Sequence, residues 1–293
     1  MRKATPISSN SRNPCSKLFD STPVRLALGV EYDGSVFSGF QTQRDRTTVQ
    51  ESLEHALSQV ADQPVRITAA GRTDAGVHAT GQVVSFSTEA NRPLQAWCLG
   101  VNALTPPALK VRWAKSVATE FHPRYDATAR RYMYLFYESV QPSPLLESFA
   151  VRTSPLDDEL MHRAAQVLLG ERDFTTFRAA GCQARSPFRC IHRIGVHRTQ
   201  SLVCLDITAN AFLLHMVRNI AGALWHIGRN DGGKDGGDQG WLEEILARRD
   251  RNSAPATALP QGLYLVSVNY PGQTFPPSPL PGLLRALGDL DRF

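Results

Sequence analysis

What most limits how this chain can fold is the order in which its apolar residues change period. The stretch "VRLALGVEYDG" (24–34) has the apolar density of a strand and ends in an Asp-Gly turn. "TVQESLEHALSQVA" (48–61) then sets Val49, Leu53, Ala56, Leu57 and Val60 on one helical stripe, with Thr48 and Glu51 at capping-box spacing. "PVRITAA" and "QVVSFST" read as strands, "LQAWCLGVNAL" (94–104) as a helix, and "ALKVRWAKSV" (108–117) as a strand. That order, β-α-β-β-α-β, is the ferredoxin-like split unit.

The second half repeats it. "RRYMYLFYE" (130–138) is a predicted strand, and "DDELMHRAAQVLLG" (157–170) a predicted helix that buries Met161, Ala164, Ala165 and Leu168, with Gly170 placed to cap its C-terminus. "RCIHRIGVHR" and "LVCLDIT" are strands. "AFLLHMVRNIAGALWHIG" is a helix behind Asn210 as N-cap, "WLEEILARR" a shorter one, and "GLYLVSVNY" a closing strand. The expected fold is therefore α+β, with tandem duplicated ferredoxin-like subdomains. They would leave a cleft between two sheets or share one sheet. Residues 24–121 form the first subdomain and 122–272 the second, between a disordered tail (1–23) and a Pro-rich tail (273–293). The N-terminus is basic without the apolar centre of a secretory signal. "RNDGGKDGGDQG" (229–240) is a flexible insertion by composition.

Composition narrows the class. No run of about 18 apolar residues exists, so no membrane span is expected. The five cysteines form no CxxC pair and are odd in number, which points to a reducing cytoplasm rather than a disulfide framework. A net charge of +5 permits a nucleic-acid partner without demanding one.

Four constellations bear on chemistry. The loop in "AAGRTDAGVHATGQVVSF" (69–86) carries Arg72 and Asp74 between two strands, where an aspartate is commonly just a turn residue. Gly71 and Gly76 have P-loop spacing, but Val77 and His78 stand where Lys and Ser/Thr are required, which excludes a nucleotide triphosphatase. Cys182, Cys190, His192 and His197 lie close in sequence, yet lack the short-loop spacing of a structural zinc site, so no metal is expected. "FHPRYDATARRYMYLFY" (121–137) interleaves Arg124, Arg130 and Arg131 with aromatics. Such a pattern suits either single-stranded nucleic acid or a sheet core. A second basic run, "FRAAGCQARSPFRCIHR" (177–193), concentrates the positive charge further. Lastly, Arg218 sits in an otherwise apolar helix, where an arginine either snorkels or meets a carboxylate.

Taken in order, "GRTDAGVHATGQVV", "FHPRYDATARRYMY", "NAFLLHMVRNI" and "GLYLVSV" resemble the tRNA pseudouridine synthase A family over roughly residues 24–270. The resemblance implies an isomerase that converts uridine to pseudouridine at positions 38, 39 and 40 of the tRNA anticodon stem-loop. It implies no metal, no nucleotide cofactor and a homodimer. Asp74 matches the family's catalytic aspartate and Tyr132 its active-site tyrosine. Arg218 is then the candidate cation beside Asp74, Arg72 helps hold the everted nucleotide, and Leu263 lines the apolar wall. RNA contacts fall to Phe121, His122, Arg124, Tyr125, Arg92, Gln183, Arg185 and Ser186. Two other readings stand beside it: a non-catalytic RNA-binding protein and a zinc hydrolase. Asp74→Asn separates the first pair, since only the enzyme loses activity while keeping tRNA affinity; chelation tests the third.

Overall fold

The computed structural model describes residues 23–229 and 239–286. The expected N-terminal tail up to residue 22, most of the 229–240 insertion and the last seven residues lie outside them.

The sequence patterns give a mixed α+β architecture on one mostly antiparallel ten-stranded sheet. In chain order the elements are β1 (Val24–Tyr32), α1 (Val49–Ala61), β2 (Thr68–Ala69), β3 (His78–Thr88), α2 (Leu94–Leu104), β4 (Leu109–Val117), β5 (Ala129–Glu138) and β6 (Val151–Thr153). They continue with α3 (Asp158–Ala165), β7 (Gly170–Asp173), β8 (Phe188–Thr199), β9 (Leu202–Ala209), α4 (Met216–Gly228), α5 (Gln239–Arg248), β10 (Leu263–Asn269) and α6 (Gly282–Ala286). The sheet order is β4-β1-β3-β10-β5-β9-β8-β7, with β2 on β3 and β6 on β5. One sheet is shared by both halves. They join where β3 and β10 run parallel, through His78–Tyr264 and Ala79–Leu265.

Strand alternation sorts the core. On β5, Tyr134 and Phe136 pack under α3 and α4, whereas Met133, Leu135 and Tyr137 turn to the opposite face, beneath Leu284. A second helical cluster sets α1 and α2 on β1 and β3 around Leu53, Leu57, Trp97 and Phe86. Adjacent same-parity residues of β10 divide between the two clusters, Leu263 going to the first and Leu265 to the second. Tyr132 borders both. The two helical layers thus cover one face of the sheet and meet over β10 and β5.

Most sequence-predicted elements lie where the periodicity put them, including α1 behind Thr48, whose Oγ1 accepts from the Glu51 amide at 3.4 Å. Three differ. "PVRITAA" reduces to a two-residue strand. The predicted 157–170 helix ends at Ala165, because residues 166–168 tighten to a 3-10 turn; Gly170, at φ 79°, opens β7 instead of capping the helix. The predicted helix over 211–228 begins only at Met216. Asn210 does not cap it: its Oδ1 accepts from the Cys190 and Ala211 amides at 3.0 and 2.7 Å. Among the described residues no helix is long and apolar enough to cross a membrane.

Candidate active site

The loop from Gly71 to Val77 links β2 to β3 and is fixed from several sides. Gln82 donates to the Gly71 carbonyl at 2.7 Å, and the Tyr32 and Thr73 hydroxyls are 2.8 Å apart. The Phe40 amide donates to the Thr73 carbonyl at 3.0 Å, and the Val77 amide donates back to the Asp74 carbonyl at 3.1 Å. Two glycines let neighbouring backbone close on it. Gly39, at φ 98°, would place a Cβ 3.2 Å from the Ala75 nitrogen. At Gly34 a Cβ would collide with the Val77 carbonyl.

This frame holds Asp74 half-buried, its side chain 30% exposed, at the seam between the helical layers. Arg218, from the first turn of α4, brings Nη1 to 3.2 Å from Asp74 Oδ2, across 144 residues of sequence. Its Nε donates to the Ala258 carbonyl at 2.8 Å, which orients the guanidinium. The apolar helix therefore carries its arginine for a carboxylate rather than for snorkelling to solvent. A further cation-capable group meets the same atom: His215 Nε2 lies 3.3 Å from Oδ2. Among the described residues Asp74 Oδ1 takes no hydrogen bond or ion pair.

His215 did not emerge from the sequence. It precedes α4 in the left-handed region, at φ 59° and ψ 5°, a conformation that costs a non-glycine residue about 1–3 kcal/mol. The signal available was a lone polar side chain in the run "AFLLHMV", hidden because helical periodicity continues through it.

Tyr132 of β5 pairs with Leu265 of the neighbouring β10 and lies edge-on to Phe212 at 5.1 Å. Its hydroxyl overhangs Gly71, where a Cβ would approach it to 3.8 Å. Burial, reinforced by the charge of Asp74 and by Tyr32, pushes its phenol well above the usual range, so the ring stays neutral. Leu263 is buried beside Tyr134, whose hydroxyl donates to the Leu259 carbonyl at 2.6 Å. Arg72 is exposed and makes no hydrogen bond or ion pair among the described residues.

The outer candidates divide. Arg124 and Tyr125 are exposed, with Tyr125 stacked on His122 at 4.2 Å and the Arg124 guanidinium 5.9 Å from the Tyr125 ring centre. Phe121 is buried against Tyr270 and Phe275 and anchors that loop. Gln183, Arg185 and Ser186 are exposed on the hairpin before β8, and Arg92 is exposed at the start of α2, its Nε reaching the Val60 carbonyl at 3.4 Å. Neither Arg130 nor Arg131 is free for phosphate. Arg130 donates to the carbonyls of Ala127, Asn210, Ala70 and Arg124, stitching the 121–128 loop to the start of the Asp74 loop. Arg131, one residue on and so on the other face, grips the buried Asp206. Cys190 Sγ and His192 Nδ1 are 3.7 Å apart. Among the described residues no three His, Cys, Asp or Glu side chains converge on a possible metal position.

Comparison with known proteins follows the same residues. A family model described as tRNA pseudouridine synthase matches residues 29–126 and 164–271. Relatives called tRNA pseudouridine synthase A include one from Shewanella pealeana, 53% identical over 249 residues, covering 85% of this chain and 94% of that one. One from Cronobacter sakazakii is 51% identical over 270 residues, 92% of this chain and 98% of its own. One from Salmonella paratyphi B is 52% identical over 266 residues, with 90% and 97% covered.

Proposed function

The chain belongs to the tRNA pseudouridine synthase family, and from that premise we propose that Asp74 is the catalytic carboxylate of a uridine isomerase acting on tRNA. The observation that carries the reading is the contact of Asp74 with Arg218 at the seam of the two helical layers. A turn aspartate has no need of a guanidinium delivered from the far half of the chain.

The reaction defines what the site must supply. The N1–C1′ bond of uridine breaks, the uracil turns over, and a C5–C1′ bond forms. C5 gives up its proton and N1 takes one, so atoms and charge balance without hydrolysis or redox change. A positioned ionised oxygen, attacking covalently or removing a proton, is enough if water is kept out. Asp74 supplies that oxygen, and Arg218 balances its charge. Tyr132, held neutral, offers its ring to the everted base, and Leu263 backs the apolar wall. Arg72, exposed and unpaired among the described residues, two positions from Asp74, takes a phosphate of the everted nucleotide. Eversion costs a few kcal/mol and is cheapest near a loop, which suits uridines 38, 39 and 40 of the anticodon stem-loop.

The backbone of the RNA is read as lying over Arg124, His122 and Tyr125 on one side and Gln183, Arg185 and Ser186 on the other, with Arg92 further out. Phe121 serves this surface by anchoring its loop. These groups position the RNA rather than read its sequence. We read 24–121 and 122–272 as tandem ferredoxin-like subdomains. Support comes from a shared strand order, β4-β1-β3-β2 in the first and β10-β5-β9-β8 in the second. The enzyme is taken as a homodimer, and as cytoplasmic in keeping with its four described cysteines, which are all free.

Incubating the protein with unmodified tRNA transcripts and mapping pseudouridine, without added metal or nucleotide, tests the assignment. Product at 38–40 is expected. Transcripts that are bound but stay unmodified would favour the non-catalytic RNA-binding alternative.

A further inference from the structure

We propose that His215 is a positioning residue for Asp74: together with Arg218 it holds Oδ2, leaving Oδ1 as the oxygen that meets the substrate. The inference rests on the reading of Asp74 as the catalytic carboxylate.

Three observations carry it. His215 Nε2 and Arg218 Nη1 converge on one atom, at 3.3 and 3.2 Å, while Oδ1 is left without a partner among the described residues. The imidazole stands at the N-terminus of α4 yet makes no capping hydrogen bond, so the usual local reason for a polar side chain there is absent. The backbone at His215 is left-handed, and its surroundings enforce this. The Ala179 amide donates to the Leu214 carbonyl at 3.1 Å, the Leu214 amide to Cys182 Sγ at 3.4 Å, and the Asn219 amide to the His215 carbonyl at 2.9 Å. Strained residues persist where neighbours over-determine them, and they concentrate at functional sites.

The physical role follows from the freedom of a carboxylate. With one contact it can turn about its terminal bond and exchange its oxygens. Two cation-capable groups arriving from one helix end, one of them donating a hydrogen bond, fix both the rotation and which oxygen is free. Contacts in an unliganded site are commonly long and tighten once the substrate excludes water.

The test uses substitutions that keep the backbone. Asn tolerates the left-handed region, but its amide corresponds to Nδ1 and falls short of Asp74. Gln can place an amide N–H near the position of Nε2. With unmodified tRNA transcript and saturating enzyme, His215→Asn is expected to lower the single-turnover rate by about 10²-fold, the cost of slight misplacement of a reacting group, with Kd for tRNA unchanged within a few-fold. His215→Gln should restore most of the rate. His215→Gly, equally compatible with the backbone, should match His215→Asn and thereby separate the lost contact from any folding defect. A parental rate in the Asn or Gly variant would overturn the proposal, as would a Gln variant as slow as Asn at unchanged Kd. Asp74→Asn run alongside tells the two claims apart. If it stays active, the reading of Asp74 falls; if it is dead while His215→Asn is at parental rate, only the role of His215 falls.

Discussion

Two arginine–aspartate pairs in this molecule are built to opposite specifications. Asp206 is fully buried on β9 and saturated: Arg131 bonds both its oxygens at 2.8 Å, and Arg193 stands 3.6 Å from one. Asp74 is 30% exposed, with two cation-capable groups crowded on Oδ2 and none on Oδ1. The first pair satisfies a carboxylate completely, which is what holding a sheet together requires. The second leaves half of a carboxylate unspent at the seam between the helical layers. Charge and residue type are the same in both; the difference lies in which oxygens are left over.

That contrast can be broken at either pair. Arg218→Met should reduce single-turnover pseudouridine formation by about 10²–10³-fold, the range for losing an oriented charge in a site that excludes water, while the melting temperature moves little. Arg131→Met should do the reverse, leaving a buried charge without its main partner. Denaturant unfolding should then show a loss of about 3 kcal/mol, with the folded fraction still active. A large loss of activity at parental stability in Arg131→Met would erase the distinction.

Smaller effects sharpen it. Arg124→Ala and Arg185→Ala should each weaken tRNA binding a few-fold and reduce the slope of log K against log salt by about 1, without lowering the single-turnover rate. Salt slopes equal to the parent's would place the RNA elsewhere. A third carboxylate, Asp33, is 29% exposed and, like Asp74, gathers its partners on one oxygen, here Oδ1. The His78 ring, with Nδ1 3.2 Å away, and the Ser35 amide and hydroxyl, which donate to it, hold it down at about 2, against an ordinary 3.8. Because the folded-state value is depressed, its contribution to stability is fully present above about pH 4. It is lost as the pH falls through about 2. Acid unfolding of Asp33→Asn should therefore show a shallower loss across that interval than the parent.

How much of this was legible in the sequence depends on how local each feature is. The helices α1 and α2 and the strands β1, β4, β5 and β10 follow from periods that a dozen residues express. β6 and β7 are too short to show a period. The start of α4 was misplaced because Phe212, Leu213 and Leu214 continue a helical stripe, although His215 turns the backbone out of the helix there. For the same reason the group beside Asp74 stayed hidden. Arg218 could be suspected, since an arginine among Leu214, Val217 and Ala221 needs a partner, but which carboxylate it meets is a fact of tertiary structure. The apparent ladder of arginines and aromatics in 121–137 shows a limit of another kind. Adjacent Arg130 and Arg131 must face opposite sides of a strand, so parity alone denied them a shared RNA surface.

The most direct measurement is single-turnover formation of pseudouridine by Asp74→Asn on a tRNA transcript at enzyme concentrations that saturate binding. No product, with Kd for the transcript within a few-fold of the parent's, is the expected result. Product at the parental rate would show that the free oxygen of Asp74 takes no part in the reaction.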